Sequence, residues 1–88
     1  MKQVLIDCTK MVDEASVHDT FSEALEFPAY YGRNLDALYD MLSSSPELKL
    51  TLTNASVLKK LFRYGDNLKL ALEDAAKDND LLILEYQE

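Results

Sequence analysis

Residues 27–40, Phe-Pro-Ala-Tyr-Tyr-Gly-Arg-Asn-Leu-Asp-Ala-Leu-Tyr-Asp, close one helix and open another. Phe27 precedes Pro28, and a residue before proline avoids helical angles. Two tyrosines and a glycine follow as loop, and Asn34 has the side chain of an N-cap. From there Leu35, Leu38, Tyr39 and Leu42 recur at the spacing of one helical face, until Ser43-Ser44-Ser45-Pro46 stops it.

Upstream, Val17, Phe21, Ala24 and Leu25 form an earlier helical stripe, with Ser16 as the expected cap. Before it, Val4-Leu5-Ile6 reads as a short buried strand. Downstream, Leu48, Leu50 and Leu52 alternate with Lys49, Thr51 and Thr53, the pattern of a half-exposed strand. Asn54 can cap a short helix carrying Val57, Leu58, Leu61 and Phe62, with Gly65 as its left-handed stop. A last helix carries Leu68, Ala71, Leu72, Ala75 and Ala76. Leu81-Leu82-Ile83-Leu84 then reads as a buried central strand. The order β-α-α-β-α-α-β places the chain in the α/β class, as a three-stranded parallel sheet covered by about four short helices. Residues 1–88 are expected to form one domain.

Composition narrows the function. The chain is 48% hydrophobic and 28% charged, which is ordinary for a globular protein. Nine Lys+Arg oppose sixteen Asp+Glu, giving a net charge of −7. Such a balance repels nucleic acid and anionic lipid, so no direct nucleic-acid or membrane partner is expected. The acidity serves solubility or attracts a basic partner. Cys8 is the lone cysteine and His18 the lone histidine, which excludes an intramolecular disulfide and a Cys/His metal site. Neither a phosphate-binding glycine loop nor a calcium loop is present, so no cofactor or metal is implied. No secretory signal opens the chain, and a cytoplasmic location is expected.

The run Tyr30-Tyr31-Gly32-Arg33-Asn34-Leu35-Asp36-Ala37-Leu38-Tyr39-Asp40 resembles the signature of the barstar family, intracellular inhibitors of barnase-type ribonucleases. Element order and length agree with that family over the whole chain. The resemblance implies no catalytic residues, a free monomer, and a basic secreted guanyl-specific ribonuclease, or a related toxin, as partner. It further implies that Tyr30, Asn34, Leu35, Asp36, Tyr39 and Asp40 contact the partner, with Tyr31, Gly32, Arg33 and Glu73 beside them.

The residues carry a physical reading of their own. Asp36 and Asp40 stand four apart, so both carboxylates share the outward side of their helix while the leucines face inward. Like charges at that spacing do not help an isolated helix, yet they can occupy phosphate positions in a ribonuclease cleft through charge-assisted hydrogen bonds. The competing reading is a plain solvated acidic face. Tyrosines supply large contact area at low entropic cost, or pack in a core with the hydroxyl reaching water. Gly32 is expected to adopt positive φ or to let the loop approach its partner.

This chain departs from the family pattern in three places. Tyr39 replaces a tryptophan, Arg33 replaces an acid, and an acid pair near the end of the last helix matches Glu73 and Lys77. Glu73 and Lys77 are spaced to form an intrahelical ion pair. These changes keep open an alternative, a barstar-fold interaction or immunity module for a different basic protein. An enzyme using Asp36 and Asp40 as an acid/base pair is the remoter alternative, with no nucleophile or pocket to support it.

Overall fold

In the computed structural model, which describes residues 2–88, the chain runs β1 (Lys2–Asp7), a 3-10 turn (Cys8–Lys10), α1 (Glu14–Leu25), α2 (Leu35–Ser43), β2 (Leu48–Thr53), a 3-10 segment (Ala55–Leu61), α3 (Arg63–Asp78) and β3 (Leu82–Tyr86). The strands form a parallel sheet in the order β1-β2-β3. Val4 lies beside Leu50, and Leu50 beside Leu84, so each strand sends alternate apolar side chains to the same face. There they meet Val17 and Phe21 of α1, Leu38 and Leu42 of α2, and Leu68 and Leu72 of α3 in one core. The three α-helices and the longer 3-10 segment are the four expected helical elements, with the Cys8–Lys10 turn in addition.

The sheet order corrects one expectation. β2, not β3, is the central strand, and β3 lies at an edge with Leu82 buried and Leu81 and Ile83 exposed. The alternation in β2 reports which side chains face the helices. It says nothing about whether the strand has neighbours on both sides, so it did not mark an edge.

Helix boundaries bring three further corrections. Asp13, not Ser16, caps α1: its carboxylate accepts from the Ser16 amide at 2.8 Å, and Ser16 Oγ accepts from the Asp13 amide at 3.0 Å. Ser16 is therefore the reciprocal half of a capping box. Gly65 does not stop a helix but lies in the first turn of α3. A Cβ there would stand 2.3 Å from the Leu58 carbonyl oxygen, so the glycine serves close backbone approach between α3 and the 3-10 segment. Phe62, just before α3, takes a positive φ of 55° with ψ −129°, outside the left-handed helical region. Asn54 also has positive φ, 56°, and makes no side-chain cap.

Cys8 is fully buried, and burial, followed by the Asp7 charge, pushes its thiol up to about 11. It is a small core residue. No helix among the described residues is long and apolar enough to cross a membrane.

Candidate functional site

Asn34 begins the site. Its Oδ1 accepts from the Ala37 amide at 2.7 Å, and its Nδ2 donates to the Gly32 carbonyl at 3.3 Å. It thus caps α2 and folds the preceding loop onto the helix start. Leu38 and Leu42 anchor the inner face of α2, and Leu35 and Ala37 pack half-buried against the core. That orientation turns Asp36 and Asp40 to solvent, one turn apart.

Gly32 does not adopt positive φ; that conformation falls to Arg33, at φ 55°. A Cβ on Gly32 would come within 3.1 Å of the Ala37 Cβ, so the small residue lets the loop close over the first turn of α2. Arg33 reaches back to α1, where its guanidinium meets the Asp19 carboxylate at 2.8 Å and donates to the Ala15 carbonyl at 3.2 Å. Its charge is engaged within the protein rather than standing free at a rim.

The two adjacent tyrosines part company. Tyr30 is 86% exposed, whereas Tyr31 is 8% exposed and packs against Phe27 with ring centroids 4.6 Å apart. The Tyr31 hydroxyl lies 2.7 Å from His18 Nδ1, and the Tyr64 hydroxyl lies 2.7 Å from Nε2 of the same ring.

Tyr39 joins α2 to α3, its hydroxyl donating to the Asp78 carboxylate. That bond, followed by burial and the charges of Asp78, Asp74 and Asp40, pushes the phenol above its ordinary range. Asp74 and Asp78 are four apart on α3 and bring their charge to Tyr39, as Asp40 does from α2. Glu73 turns the other way and accepts from the Tyr86 hydroxyl of β3 at 3.3 Å. Among the described residues Glu73 and Lys77 form no ion pair, against the expectation from their spacing. The acids one turn apart on α3 that face α2 are therefore Asp74 and Asp78. The Leu68, Leu72, Ala75 stripe, which fixes the inner face of α3, is the sequence signal for their placement.

Asn79 locks the two helices at their C-terminal ends. It is 8% exposed, and its Nδ2 donates to the Leu42 carbonyl at 2.9 Å and the Ser45 carbonyl at 3.1 Å. Its Oδ1 accepts from the Leu81 amide at 3.0 Å. The resulting face is acidic, with the exposed Tyr30 ring at its loop end. No cluster of His, Cys, Asp and Glu suited to a metal ion occurs among the described residues.

Comparison with known proteins gives the chain its class: a protein inhibitor rather than an enzyme. A family model described as Barstar (barnase inhibitor) matches residues 1–84. The chain is also 36% identical, over 95 aligned positions, to YrdF of Bacillus subtilis (strain 168), named as a candidate ribonuclease inhibitor. That alignment covers 97% of this chain and all of the relative. The chain belongs to the barstar family.

Proposed function

We propose that the chain blocks a secreted, barnase-like ribonuclease by laying its acidic α2–α3 face and the 30–34 loop over the enzyme's basic active site. The observation that carries this reading is the convergence of Asp40, Asp74 and Asp78 on Tyr39 across two packed helices. A ribonuclease cleft holds phosphates with cationic side chains. Carboxylates fixed on a rigid frame offer those side chains anionic oxygens in the same way, without a scissile bond. Asp36 and Asp40 supply charge from α2, and Asp74 and Asp78 replace Glu73 as the source on α3. Tyr30, exposed before any partner arrives, supplies apolar contact area beside them. Asn34 and Leu35 shape the loop–helix junction, and Gly32, Arg33 and Tyr31 hold it from behind.

In this reading the free protein is a monomer that acts in the cytoplasm before the enzyme is exported, and it does not touch RNA. The test mixes the protein with purified barnase-type ribonucleases and follows RNA cleavage. Stoichiometric loss of cleavage is expected for at least one. Undiminished cleavage by all of them at micromolar protein, with capture of a different basic protein, would overturn the reading in favour of another target class.

A further inference from the structure

The buried imidazole of His18 is used by no part of the acidic face, yet it touches the element that frames it. His18 is 2% exposed and lies on α1. Its two nitrogens meet the hydroxyls of Tyr31, in the loop beside exposed Tyr30, and of Tyr64, in the first turn of α3, each at 2.7 Å. One ring thus ties three segments together. A neutral imidazole has one N–H donor and one acceptor nitrogen, and each hydroxyl can both donate and accept. The neutral ring therefore satisfies both contacts at once. A protonated ring donates from both nitrogens, so the tyrosine that had been donating must turn its O–H away, and among the described residues neither hydroxyl has another protein partner. The change also places a positive charge in a buried site.

We propose that neutral His18 is the positioning residue that holds the 30–34 loop to α1 and α3, and that its protonation releases the loop and weakens partner binding. The binding half rests on the ribonuclease-inhibitor reading; the loop half does not. Charged groups around the ring set the direction. Burial, and after it the Arg33 guanidinium on the loop, hold His18 below its ordinary value, while Glu14 and Asp19 on α1 oppose them. Tyr31 and Tyr64 face the ring as neutral phenols, both pushed upward by burial. A lowered histidine contributes its stabilisation fully above the ordinary histidine value. That contribution is lost as the pH falls through the lowered value.

The test reads amide hydrogen exchange in the free protein, corrected for intrinsic rates, while an NMR titration follows the His18 ring. The reporters are the Tyr31 amide, bonded to the Pro28 carbonyl at 3.0 Å, and the Ala37 amide on Asn34. Protection at both is expected to fall about tenfold as His18 protonates, the scale of one hydroxyl left without an acceptor, with β2 amides unchanged. In Tyr31→Phe that protection should be low at every pH and no longer follow the His18 titration. Tyr64→Phe, which leaves the loop side chain intact, gives the same comparison from the α3 side. Loop protection that ignores His18 protonation in wild type, or stays at the wild-type level in both folded variants, would overturn the proposal. A second arm measures dissociation from a barnase-type ribonuclease between about pH 5 and 8. Wild type should dissociate faster as the pH falls, and Tyr31→Phe fast throughout, with the enzyme's own titration common to both. If no such enzyme binds, the inhibitor reading fails while exchange still decides the loop.

Discussion

The Tyr39 hydroxyl of α2 donates to the Asp78 carboxylate of α3, so the two helices that carry the acidic face are joined within that face. The bond sets a carboxylate's position before any partner arrives, and it spends one lone pair of Asp78 on the protein itself. Raised above its ordinary value, the Tyr39 phenol adds stability that is present below the unfolded tyrosine value and lost as the pH rises through the folded one. Absorbance titration of the tyrosinates should show one phenol returning toward the ordinary range in Asp78→Asn. Tyr39→Phe should leave thermal unfolding close to wild type, because the site reaches solvent.

Asp40→Ala is expected to damage binding far more than folding. Asp40 is exposed in the free protein, and removing it relieves repulsion with Asp36 by a few tenths of a kcal/mol. In a complex with a cationic cleft the same deletion leaves buried charges unpaired, at a cost of about 3–5 kcal/mol. Dissociation from a confirmed target, followed by stopped flow or surface capture, should therefore accelerate by more than about a hundredfold. Thermal unfolding should stay near wild type.

Net charge of −7 should speed encounter with a basic enzyme. Raising ionic strength from about 10 mM to 1 M shortens the Debye length from about 30 to 3 Å, so association should slow markedly over that range. A flat profile would assign the acidity to solubility alone.

Gly65→Ala tests the packing of α3 on the 3-10 segment. The added Cβ meets a backbone carbonyl oxygen at 2.3 Å, which no side-chain rotation can relieve. Despite the better helix propensity of alanine, the variant should lose about 1–3 kcal/mol in chemical denaturation.

The charge-reversed Arg33→Glu, Lys77→Glu pair separates two roles that the sequence suggested were alike. Arg33 is bonded to Asp19 and Ala15, whereas Lys77 stands exposed. Lys77→Glu alone should raise the low-salt association rate with a basic target. Arg33→Glu should instead place two acids side by side at Asp19 and lower stability by roughly up to 1 kcal/mol, the range of exposed pairs. Association rates and melting curves of the two single variants distinguish these effects.

Much of this architecture was legible in the residues. Apolar spacing located all three strands and the inner faces of α1, α2 and α3, because burial imposes its period on the sequence. Asn34 announced its cap for the same local reason. Features set by what lies across space were not legible. β3 reads as a buried run, yet strand order left it at the edge. Gly65 looks like a helix stop because glycine signals left-handed turns, but its reason is the Leu58 carbonyl. Asp74 and Asp78 come beside Tyr39 only because α3 packs against α2, which no local pattern announces. His18 gave no sign of its two tyrosine partners, which lie far from it along the chain.

The Asn79 amide reaches the chain through main-chain atoms of Leu42, Ser45 and Leu81. Main-chain atoms are present whatever side chains evolve. The part of the helix–helix junction that Asn79 makes with those atoms is consequently independent of the residues displayed on the two helices. In the proposed inhibitor reading, substitutions at the exposed Asp36, Asp40, Asp74 or Tyr30 would change the displayed surface without disturbing this junction. On that reading, such a face can be altered one exposed residue at a time.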